Sequence, residues 1–439
     1  MSPRVLVIGA SAINRKSATG ITLCNLFSGY PPDRVAQIYD DRDVPDSTCC
    51  ASYFRFSSED VALVCVAKRL VQRYRFRKVR YLPVQGEFAA AGVNNSAMPG
   101  TLGMLGDIAP FALPKRLCAW VEEFKPDVIY SPLGSVRMMN LVLKLSKEFR
   151  LPVVPHFMDD WPKSEYSGSW ALALSRLILR TQLKRVLQRA AIALTISEEM
   201  ALEYRRRYGG EFVDFMNCVE LQPLRASSDE PANRVVRFAY IGGLHLNRWR
   251  ALRDVVAALQ GLRNSGADVT IEIYAPEKDV LTYRDVFRAY DAVATLATLR
   301  PSEVEGKLAE MDVLVHVESF FEEDSARTRL SISTKIPQYM ASGKAILAYG
   351  PSDLTSLRYI NRNRAGVVFT DEGNISGLAG IARELVESRQ LRESLGREGR
   401  TAAEVRHARG RVSAAFCAIL ADAAERHTPD SLGAAHDGN

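Results

Sequence analysis

The chain has 439 residues, of which 47% are hydrophobic and 25% are charged, and its basic residues exceed its acidic ones by six. This composition excludes a largely disordered or collagen-like chain, and the length predicts two domains. The mild basic excess suits phosphate-bearing ligands or anionic membranes and does not require nucleic acid. Seven scattered cysteines without C-x-x-C spacing, and no apolar run near the roughly 20 residues of a spanning helix, predict a cytoplasmic protein.

Short apolar runs alternate with longer helical patterns along the chain, which predicts parallel sheets covered by helices. The strands predicted in the first half are Val5–Gly9, Ala36–Asp40, Val79–Val84, Asp127–Ser131, Val153–Phe157, Ala191–Ile196 and Phe212–Met216. Those predicted in the second half are Val236–Ile241, Val269–Ala275, Asp312–Val317, Ala345–Tyr349 and Gly366–Thr370. The fold class expected is α/β, with two Rossmann-like, doubly wound domains facing each other across a cleft.

A polar segment at residues 223–234 and an amphipathic helix over 409–426 define the predicted domain boundaries. Residues 223–234, PLRASSDEPANR, contain two prolines and no periodicity, which predicts a linker. The first domain is then residues 1–222 and the second is residues 235–408. An amphipathic helix over 409–426 and a disordered tail at 427–439 complete the predicted organisation.

A candidate anion site lies at the start of STKIPQYMASGKAIL. The sequence predicts a short helix capped by Ser333 and ended by Gly343, and free N–H groups at a helix start attract phosphate. The polar residues at this start are Ser331, Ser333, Thr334 and Lys335. The alternative is an ordinary capped helix with an exposed lysine.

A second cationic arm is predicted after the strand FAYIGG. Gly242 and Gly243 allow a ligand to approach the backbone, and Arg248 could reach a phosphate from the side opposite Lys335. Two cations would then clamp one diphosphate. The alternatives are a tight glycine turn and a solvated arginine.

The order of these segments resembles the family 4 group of GT-B glycosyltransferases. The likeness runs from about residue 120 to 400 and includes PVVPHFMDDWP, FAYIGGLHLNRW and EMDVLVHVES. Its distinctive pieces are TISEEMALEYRRRYG followed by an NCVE turn, and STKIPQYMASGK followed by a strand. It implies a nucleotide-sugar-dependent hexosyltransferase that acts with retention on a glycan or lipid-linked acceptor. It also implies an acceptor-side first domain, to which the helix over 409–426 returns.

The resemblance assigns the donor site residue by residue. It places the donor diphosphate on Ser333, Thr334 and Lys335, with Arg248 at the family's basic position. Gln338 stands where the family has the second glutamate of its E-x7-E pattern, which contacts the nucleotide ribose. The chain departs from the family at Leu330, in place of the first glutamate, and at Gly243, in place of an arginine.

Candidate catalytic residues follow the strand VVPHFM. His156, Asp159 and Asp160 lie near the place where the family carries a histidine and an aspartate, and such groups could accept a hydroxyl proton or stabilise charge on the sugar ring. The alternatives are capping aspartates and a core histidine. Thr19 and Gly20, in the loop after the first strand, are expected to face the same cleft.

No metal or other cofactor is predicted, because cations and the helix dipole can neutralise the leaving diphosphate. The cluster of Glu318, Glu322, Glu323 and Asp324 is interpreted as an exposed charged loop. Two basic stretches, residues 68–81 and 176–189, could lie on the inner face of an anionic membrane. The alternative is that they are solvated outer faces of helices.

Three other functions share features with this sequence. The start VLVIGASAINRKSATG lacks G-x-G-x-x-G spacing, which excludes a nicotinamide dehydrogenase. A sugar-nucleotide 2-epimerase would share the diphosphate site, and a catalytically weak GT-B protein that binds a partner would tolerate Leu330 and Gln338. These two remain open at the level of sequence.

Overall fold

A computed structural model describes residues 2–15, 17–41, 43–56, 107–165, 172–224 and 235–426. The predicted strand Val79–Val84, the basic stretch 68–81, residues 225–234 of the predicted linker and the tail 427–439 lie outside these residues. The chain divides into two compact units. The N-terminal unit comprises Met1–Thr195, Ala201–Asp214 and Ser413–Asn439, and the C-terminal unit comprises Ile196–Met200 and Phe215–Val412.

The first sheet has seven parallel strands in the order β3-β2-β1-β4-β5-β6-β7. Its strands are β1 (Val5–Ile8), β2 (Val35–Tyr39), β3 (Ser52–Arg55), β4 (Val128–Ser131), β5 (Val153–Phe157), β6 (Ala193–Thr195) and β7 (Phe212–Asp214). The helices along this part of the chain are α1 (Ala18–Leu26), α2 (Lys115–Phe124), α3 (Val136–Phe149), the single turn α4 (Trp161–Ser164), α5 (Ala173–Arg189) and α6 (Glu198–Tyr208).

The second sheet has six parallel strands in the order β10-β9-β8-β11-β12-β13. Its strands are β8 (Val236–Ile241), β9 (Val269–Tyr274), β10 (Ala294–Ala297), β11 (Val313–Val317), β12 (Ala345–Tyr349) and β13 (Gly366–Phe369). The accompanying helices are α7 (Arg248–Asn264), α8 (Glu277–Arg288), α9 (Val304–Glu310), α10 (Glu322–Thr328), α11 (Lys335–Ala341), α12 (Thr355–Arg362), α13 (Ile375–Glu387), α14 (Arg389–Arg406) and α15 (Arg409–Glu425).

Both faces of the second sheet are covered, which explains why its central strands are mostly apolar, with Arg237 in β8 and His316 in β11 as exceptions. Side chains on one face, such as Phe238 and Val315, join a core with α7 and α13. Side chains on the other face, such as Ala239 and Leu314, join a core with α11 and α12. Successive side chains of a strand point to opposite faces. His316 therefore lies on the same face as Leu314, the face that α11 and α12 cover.

The two doubly wound parallel sheets confirm the predicted α/β class. The predicted strands that fall on described residues are present, with ends displaced by at most two residues. Two strands were not predicted, β3 and β10, and each is an edge strand of its sheet. Each exposes alternate side chains, so neither forms the continuous apolar run that identifies a strand buried on both faces.

The last helix contributes to the core of the N-terminal unit from Ser413 onward. The Phe416 ring meets Phe27 and Tyr130 edge to face, each at 5.1 Å between ring centroids. Ser413 accepts a hydrogen bond from the Gly29 N–H at 3.2 Å and donates one to the Leu26 carbonyl at 2.9 Å. Among the described helices, none combines the length and the apolar character needed to cross a membrane.

Candidate functional site

The second sheet has its topological switch point between β8 and β11, where the strand order reverses. In open α/β sheets, ligands bind outside the carboxyl ends of the strands at such a point. Gly242 follows β8 and Glu318 follows β11. Arg248 at the start of α7 and Lys335 at the start of α11 bring two cations to the same place. We call Tyr240, Gly242, Arg248, His316, Glu318 and Lys335 the switch-point cluster.

Arg248 is fixed by a two-pronged ion pair with Glu318. Its Nε donates to Glu318 Oε2 at 3.0 Å, and its Nη2 donates to Oε1 at 3.3 Å. The Glu318 side chain is only 4% exposed and that of Arg248 is 14% exposed. Planar guanidinium and carboxylate groups match in this geometry, so the pair also sets the orientation of the guanidinium.

Lys335 brings a second cation, with its ammonium group over the Tyr240 ring. The Nζ atom lies 4.5 Å from the ring centroid and donates to the Tyr240 hydroxyl at 3.4 Å. The residue as a whole is half-buried, but its ammonium group is removed from water. This desolvation, followed by repulsion from Arg248, lowers the pKa of Lys335 to about 7, although Glu318 acts in the opposite direction. The cluster thus holds two basic groups beside one carboxylate.

His316 adds a buried imidazole beneath these charges. It is 1% exposed, and its Nε2 lies 3.5 Å from Glu318 Oε1. Neither ring nitrogen makes a hydrogen bond within the described part of the chain. Burial, and then the charges of Lys335 and Arg248, hold the pKa of His316 well below its ordinary value. The imidazole is therefore uncharged at neutral pH and adds no third cation.

Packing explains why the two residues after β8 are glycines. A Cβ on Gly242 would lie 2.1 Å from Lys335 Nζ, and a Cβ on Gly243 would lie 2.4 Å from His245 Nδ1. Any side chain at position 242 would displace the lysine. Gly242 and Gly243 therefore form a close-approach turn, and the group that approaches Gly242 is the Lys335 ammonium group.

The other predicted donor residues surround the start of α11. Ser331, Ser333, Thr334 and Gln338 are all half-buried. The N-cap is Thr334 and not the predicted Ser333, and the Thr334 side chain makes no capping hydrogen bond. Asn217 instead donates to the Thr334 carbonyl at 3.2 Å. Gly343, with φ of 70°, ends the helix as predicted.

Leu330, where the resemblance would place a glutamate, is a core residue. Its side chain is 5% exposed, and its carbonyl accepts a hydrogen bond from Ser197 at 2.8 Å. An apolar residue suits this enclosed position. The carboxylate of the C-terminal unit that lies beside the two cations is Glu318.

The candidate catalytic residues of the N-terminal unit fall into different environments. His156 is completely buried and shares a 2.7 Å hydrogen bond with the Tyr130 hydroxyl. These contacts favour the alternative of a core histidine over a catalytic one. Asp159 is exposed at the end of β5, and its catalytic role stays a prediction.

Asp160 is an anchored carboxylate. It is 2% exposed, and Arg207 donates to both of its oxygens, at 2.7 and 3.0 Å. The Tyr204 hydroxyl adds a third hydrogen bond at 3.0 Å. This set of partners ties the turn after β5 to α6 and leaves the carboxylate little capacity for a substrate.

Gly20 and Thr19 lie in the first turn of α1. The Gly20 N–H is capped by the Ser17 hydroxyl at 3.1 Å, and a Cβ on Gly20 would lie 2.6 Å from the Asn14 carbonyl oxygen. Gly20 is therefore required for packing of the preceding loop. Thr19 is half-buried, and its contact with a ligand stays a prediction.

Sequence reasoning missed three members of the cluster. Glu318 was grouped with the exposed acidic residues of α10, and the structure corrects this because Glu318 is buried and paired. Tyr240 and His316 carried no motif. A usable signal existed for Glu318 and His316, since a charged or ionisable residue in or directly after the apolar run VLVHV is unusual in a buried strand.

Comparison with known proteins agrees with this fold. Residues 56–215 match the family model described as a glycosyl transferase 4-like domain. No curated protein matches at the level of sequence.

Solved structures extend the likeness to nearly the whole chain. Sucrose-phosphate synthase from Thermosynechococcus elongatus is 12% identical, with 95% of this chain and 99% of that one covered and a TM-score of 0.62. HepE from Anabaena, solved in complex with UDP-glucose, has the same identity and coverage and a TM-score of 0.59. Trehalose 6-phosphate synthase from Burkholderia multivorans is 10% identical, with both chains fully covered and a TM-score of 0.60. The chain therefore has the GT-B fold of these structures, and its residues 56–215 are similar to the glycosyl transferase 4-like domain.

Proposed function

We propose that this protein transfers a sugar from a nucleotide-diphosphate sugar to a hydroxyl group of a glycan or lipid-linked acceptor, with retention of configuration. The observation that carries the donor part is the pair of cations at the switch point of the second sheet. Arg248 is oriented by Glu318, whereas the Lys335 ammonium group lies desolvated over Tyr240. The acceptor class and retention follow from the resemblance to the family 4 group.

Charge balance favours a diphosphate as the ligand. A desolvated ammonium group is costly unless an anion accompanies it, and the single Glu318 carboxylate is already engaged by Arg248. A bound diphosphate would supply further negative charge and accept charge-assisted hydrogen bonds from both cations. The same contacts would stabilise the diphosphate as it leaves during transfer, which is the role a metal ion has in other sites. We therefore expect donor binding to persist in the presence of a chelator.

Supporting evidence from relatives concerns the donor. The Anabaena protein with the same fold was solved with UDP-glucose, which makes a UDP-sugar the first donor to test. Serine, threonine and glutamine side chains around the start of α11 could contact the diphosphate or the ribose. Gln338 can both donate and accept hydrogen bonds with ribose hydroxyls.

The test of the donor site compares phosphorylated and unphosphorylated ligands. A charge-assisted hydrogen bond contributes about 1.5–3 kcal/mol, so Lys335→Ala should weaken binding of the matching nucleoside diphosphate by about 10- to 150-fold. Binding of the unphosphorylated nucleoside should change little. Calorimetry with UDP, GDP, ADP and their nucleosides measures both quantities.

The matched control is Lys278→Ala, which removes an exposed lysine of α8 in the same unit. It should leave all affinities unchanged. Equal losses for diphosphate and nucleoside in Lys335→Ala would contradict a phosphate contact. Conversion of a UDP-sugar to its epimer in the absence of any acceptor would contradict transfer as the reaction.

We also propose peripheral contact with an anionic membrane through α5. Leu174 and Leu177 are 65% and 61% exposed on this helix, and Arg180 and Lys184 are exposed nearby. Apolar side chains flanked by basic ones suit the headgroup region of an anionic bilayer. Vesicles containing phosphatidylglycerol should sediment with the wild type and much less with Leu174→Glu/Leu177→Glu. Equal sedimentation of both proteins would refute this contact.

A further inference from the structure

A pair of buried thiols lies in the N-terminal unit, outside the switch-point cluster. Cys24 on α1 is 3% exposed, and Cys49 in the turn before β3 is 4% exposed. Their sulfur atoms and a carboxylate oxygen of Asp46 all lie within 4.8 Å of one another. The two cysteines come from different segments, so the tertiary fold creates the pair.

The Asp46 carboxylate beside the two thiols already accepts hydrogen bonds on both of its oxygens. Asp46 Oδ1 accepts hydrogen bonds from the Thr48 N–H at 2.9 Å and from the Thr48 hydroxyl at 2.6 Å. Asp46 Oδ2 accepts one from Arg15 at 3.4 Å. A metal ion would have to displace or share these partners and would lie near a guanidinium charge. These contacts favour chemistry between the two sulfurs over a metal centre.

The two thiols differ in acidity. The adjacent Cys24 thiol lowers the pKa of Cys49 below its ordinary value, and the Thr48 hydroxyl, 3.7 Å from the Cys49 sulfur, acts in the same direction. The same interaction with Cys49, together with burial, raises the pKa of Cys24. Cys49 is therefore the better nucleophile of the two, because the thiolate is the reactive form of cysteine.

The neighbouring thiol does not compete. Cys50 directs its S–H toward the carbonyl oxygens of Ser52 and Val35, at 3.1 and 3.4 Å. Burial raises the pKa of Cys50 to about 12, which keeps it protonated. The arrangement therefore distinguishes Cys49 from the residue directly beside it.

We propose that Cys24 and Cys49 form a reversible disulfide when the protein reacts with hydrogen peroxide, with Cys49 as the attacking thiol and Cys24 as the resolving one. The Cys49 thiolate attacks one peroxide oxygen, the O–O bond breaks, and the departing hydroxide takes up a proton to give water and a sulfenic acid. The Cys24 sulfur then attacks the Cys49 sulfur. The S–O bond breaks, the S–S bond forms, and a second water leaves with the Cys24 proton. Two thiols are oxidised by two electrons and the peroxide is reduced to two waters.

The disulfide would restrain the loop that precedes α1. Asp46 donates its N–H to the Ile13 carbonyl at 2.7 Å, so the turn that carries Cys49 is already bonded to the loop between β1 and α1. A covalent link from this turn to α1 would close that loop from both sides. Bringing two sulfurs from within 4.8 Å to bonding distance requires a small local movement.

The test uses differential alkylation of the whole protein. The native protein is treated with hydrogen peroxide and denatured, free thiols are blocked with light N-ethylmaleimide, and thiols released by reduction are labelled with the heavy reagent. Mass spectrometry should find heavy label on Cys24 and Cys49 alone among the seven cysteines. Dithiothreitol given before denaturation should restore light label at both. Oxidation should also raise the melting temperature.

Two variants assign the roles, and a third is the control. Cys24→Ser should leave Cys49 as a sulfenic acid that dimedone traps, whereas Cys49→Ser should give no dimedone adduct at Cys24. Cys118→Ser, which removes a thiol on α2, should still form the disulfide. Heavy label at any other pair, or none after peroxide, would overturn the proposal. So would one equivalent of zinc that is lost in both Cys24→Ser and Cys49→Ser.

Discussion

Lys335 combines a depressed pKa with a position in the predicted donor site, and this makes donor binding sensitive to pH. In the donor-free protein its pKa is about 7, so the amine becomes mostly neutral as the pH rises above that value. A bound diphosphate raises the pKa by favouring the charged form, so binding takes up a proton above pH 7. The diphosphate of a nucleotide sugar stays ionised throughout this range.

We therefore expect the affinity for the nucleotide sugar to fall as the pH rises from 7 to 9, by up to about tenfold per pH unit. Calorimetry in two buffers of different ionisation enthalpy measures the proton uptake directly. Lys335→Arg supplies the control, because arginine stays charged. Its affinity should vary little over the same range. A wild-type affinity that is constant from pH 7 to 9, without proton uptake, would count against this account.

The adjacent carboxylates Asp159 and Asp160 should separate into a catalytic and a structural residue. Asp160 is buried against Arg207 and Tyr204, and loss of one partner of a buried ion pair costs about 3 kcal/mol. Asp160→Asn should therefore lower the free energy of unfolding. Asp159 is exposed, so Asp159→Asn should change that free energy by less than about 0.5 kcal/mol.

Turnover, in contrast to stability, should depend on Asp159 more than on Asp160. We expect Asp159→Asn to lower kcat more than donor affinity, since its proposed role is in the transfer step. Denaturant unfolding and transferase assays on both variants test the two expectations together. Full transferase activity in Asp159→Asn would remove it from the candidate catalytic residues.

At the scale of elements, α14 packs unusually closely against the end of α11. A Cβ on Gly396 of α14 would lie 2.0 Å from the Gly343 carbonyl oxygen, and a Cβ on Gly399 would lie 3.1 Å from Ala365 Cβ. Neither glycine has a positive φ. The requirement is therefore for close approach of two backbones and not for a special backbone conformation.

Gly396→Ala should consequently destabilise the C-terminal unit by about 1–3 kcal/mol, through overpacking. Gly380 of α13 is the matched helical control, because a Cβ at that position would have no neighbouring heavy atom within 4 Å. Gly380→Ala should be neutral or stabilise by up to about 1 kcal/mol, since alanine favours helix more than glycine does. Thermal denaturation measures the melting temperatures of both variants. Equal changes in melting temperature would show that the close approach at Gly396 does not affect stability.

At the scale of the whole molecule, the chain crosses between its two units more than once. Residues from Ser413 onward belong to the N-terminal unit, although the preceding segment belongs to the C-terminal unit. Phe416 is completely buried there and packs against Phe27 and Tyr130. The end of the chain thus supplies part of the core of the unit that its beginning forms.

Phe416→Ala should cost about 3–5 kcal/mol of stability, because it leaves a cavity among aromatic rings. Affinity for the nucleoside diphosphate should change less than about twofold, since Lys335 and Arg248 lie in the C-terminal unit. Leu202→Ala, at a site 56% exposed in the N-terminal unit, is the control and should change stability by less than about 0.5 kcal/mol. A loss of nucleotide affinity as large as that of Lys335→Ala would show that the two units do not act independently in donor binding.

Local sequence patterns were enough to predict the α/β class, the central strands and the two candidate cations. Val153–Phe157, Val236–Ile241 and Ala345–Tyr349 were predicted with their observed bounds, because strands covered on both faces are predominantly apolar. Arg248 and Lys335 could be proposed because turns and helix starts carry local signals. The edge strands β3 and β10 escaped detection because only part of each is buried.

Which ionisable groups are buried, and which partners they contact, became known from the folded structure. Glu318 was expected in solvent and instead holds Arg248, 70 positions away. Asp160 meets Arg207, 47 positions away, and Lys335 lies over Tyr240, 95 positions away. Cys24 and Cys49 likewise come together only in the fold. The physical reason is that burial and pairing depend on contacts between distant segments, whereas sequence periodicity reports only how a segment exposes its own two faces.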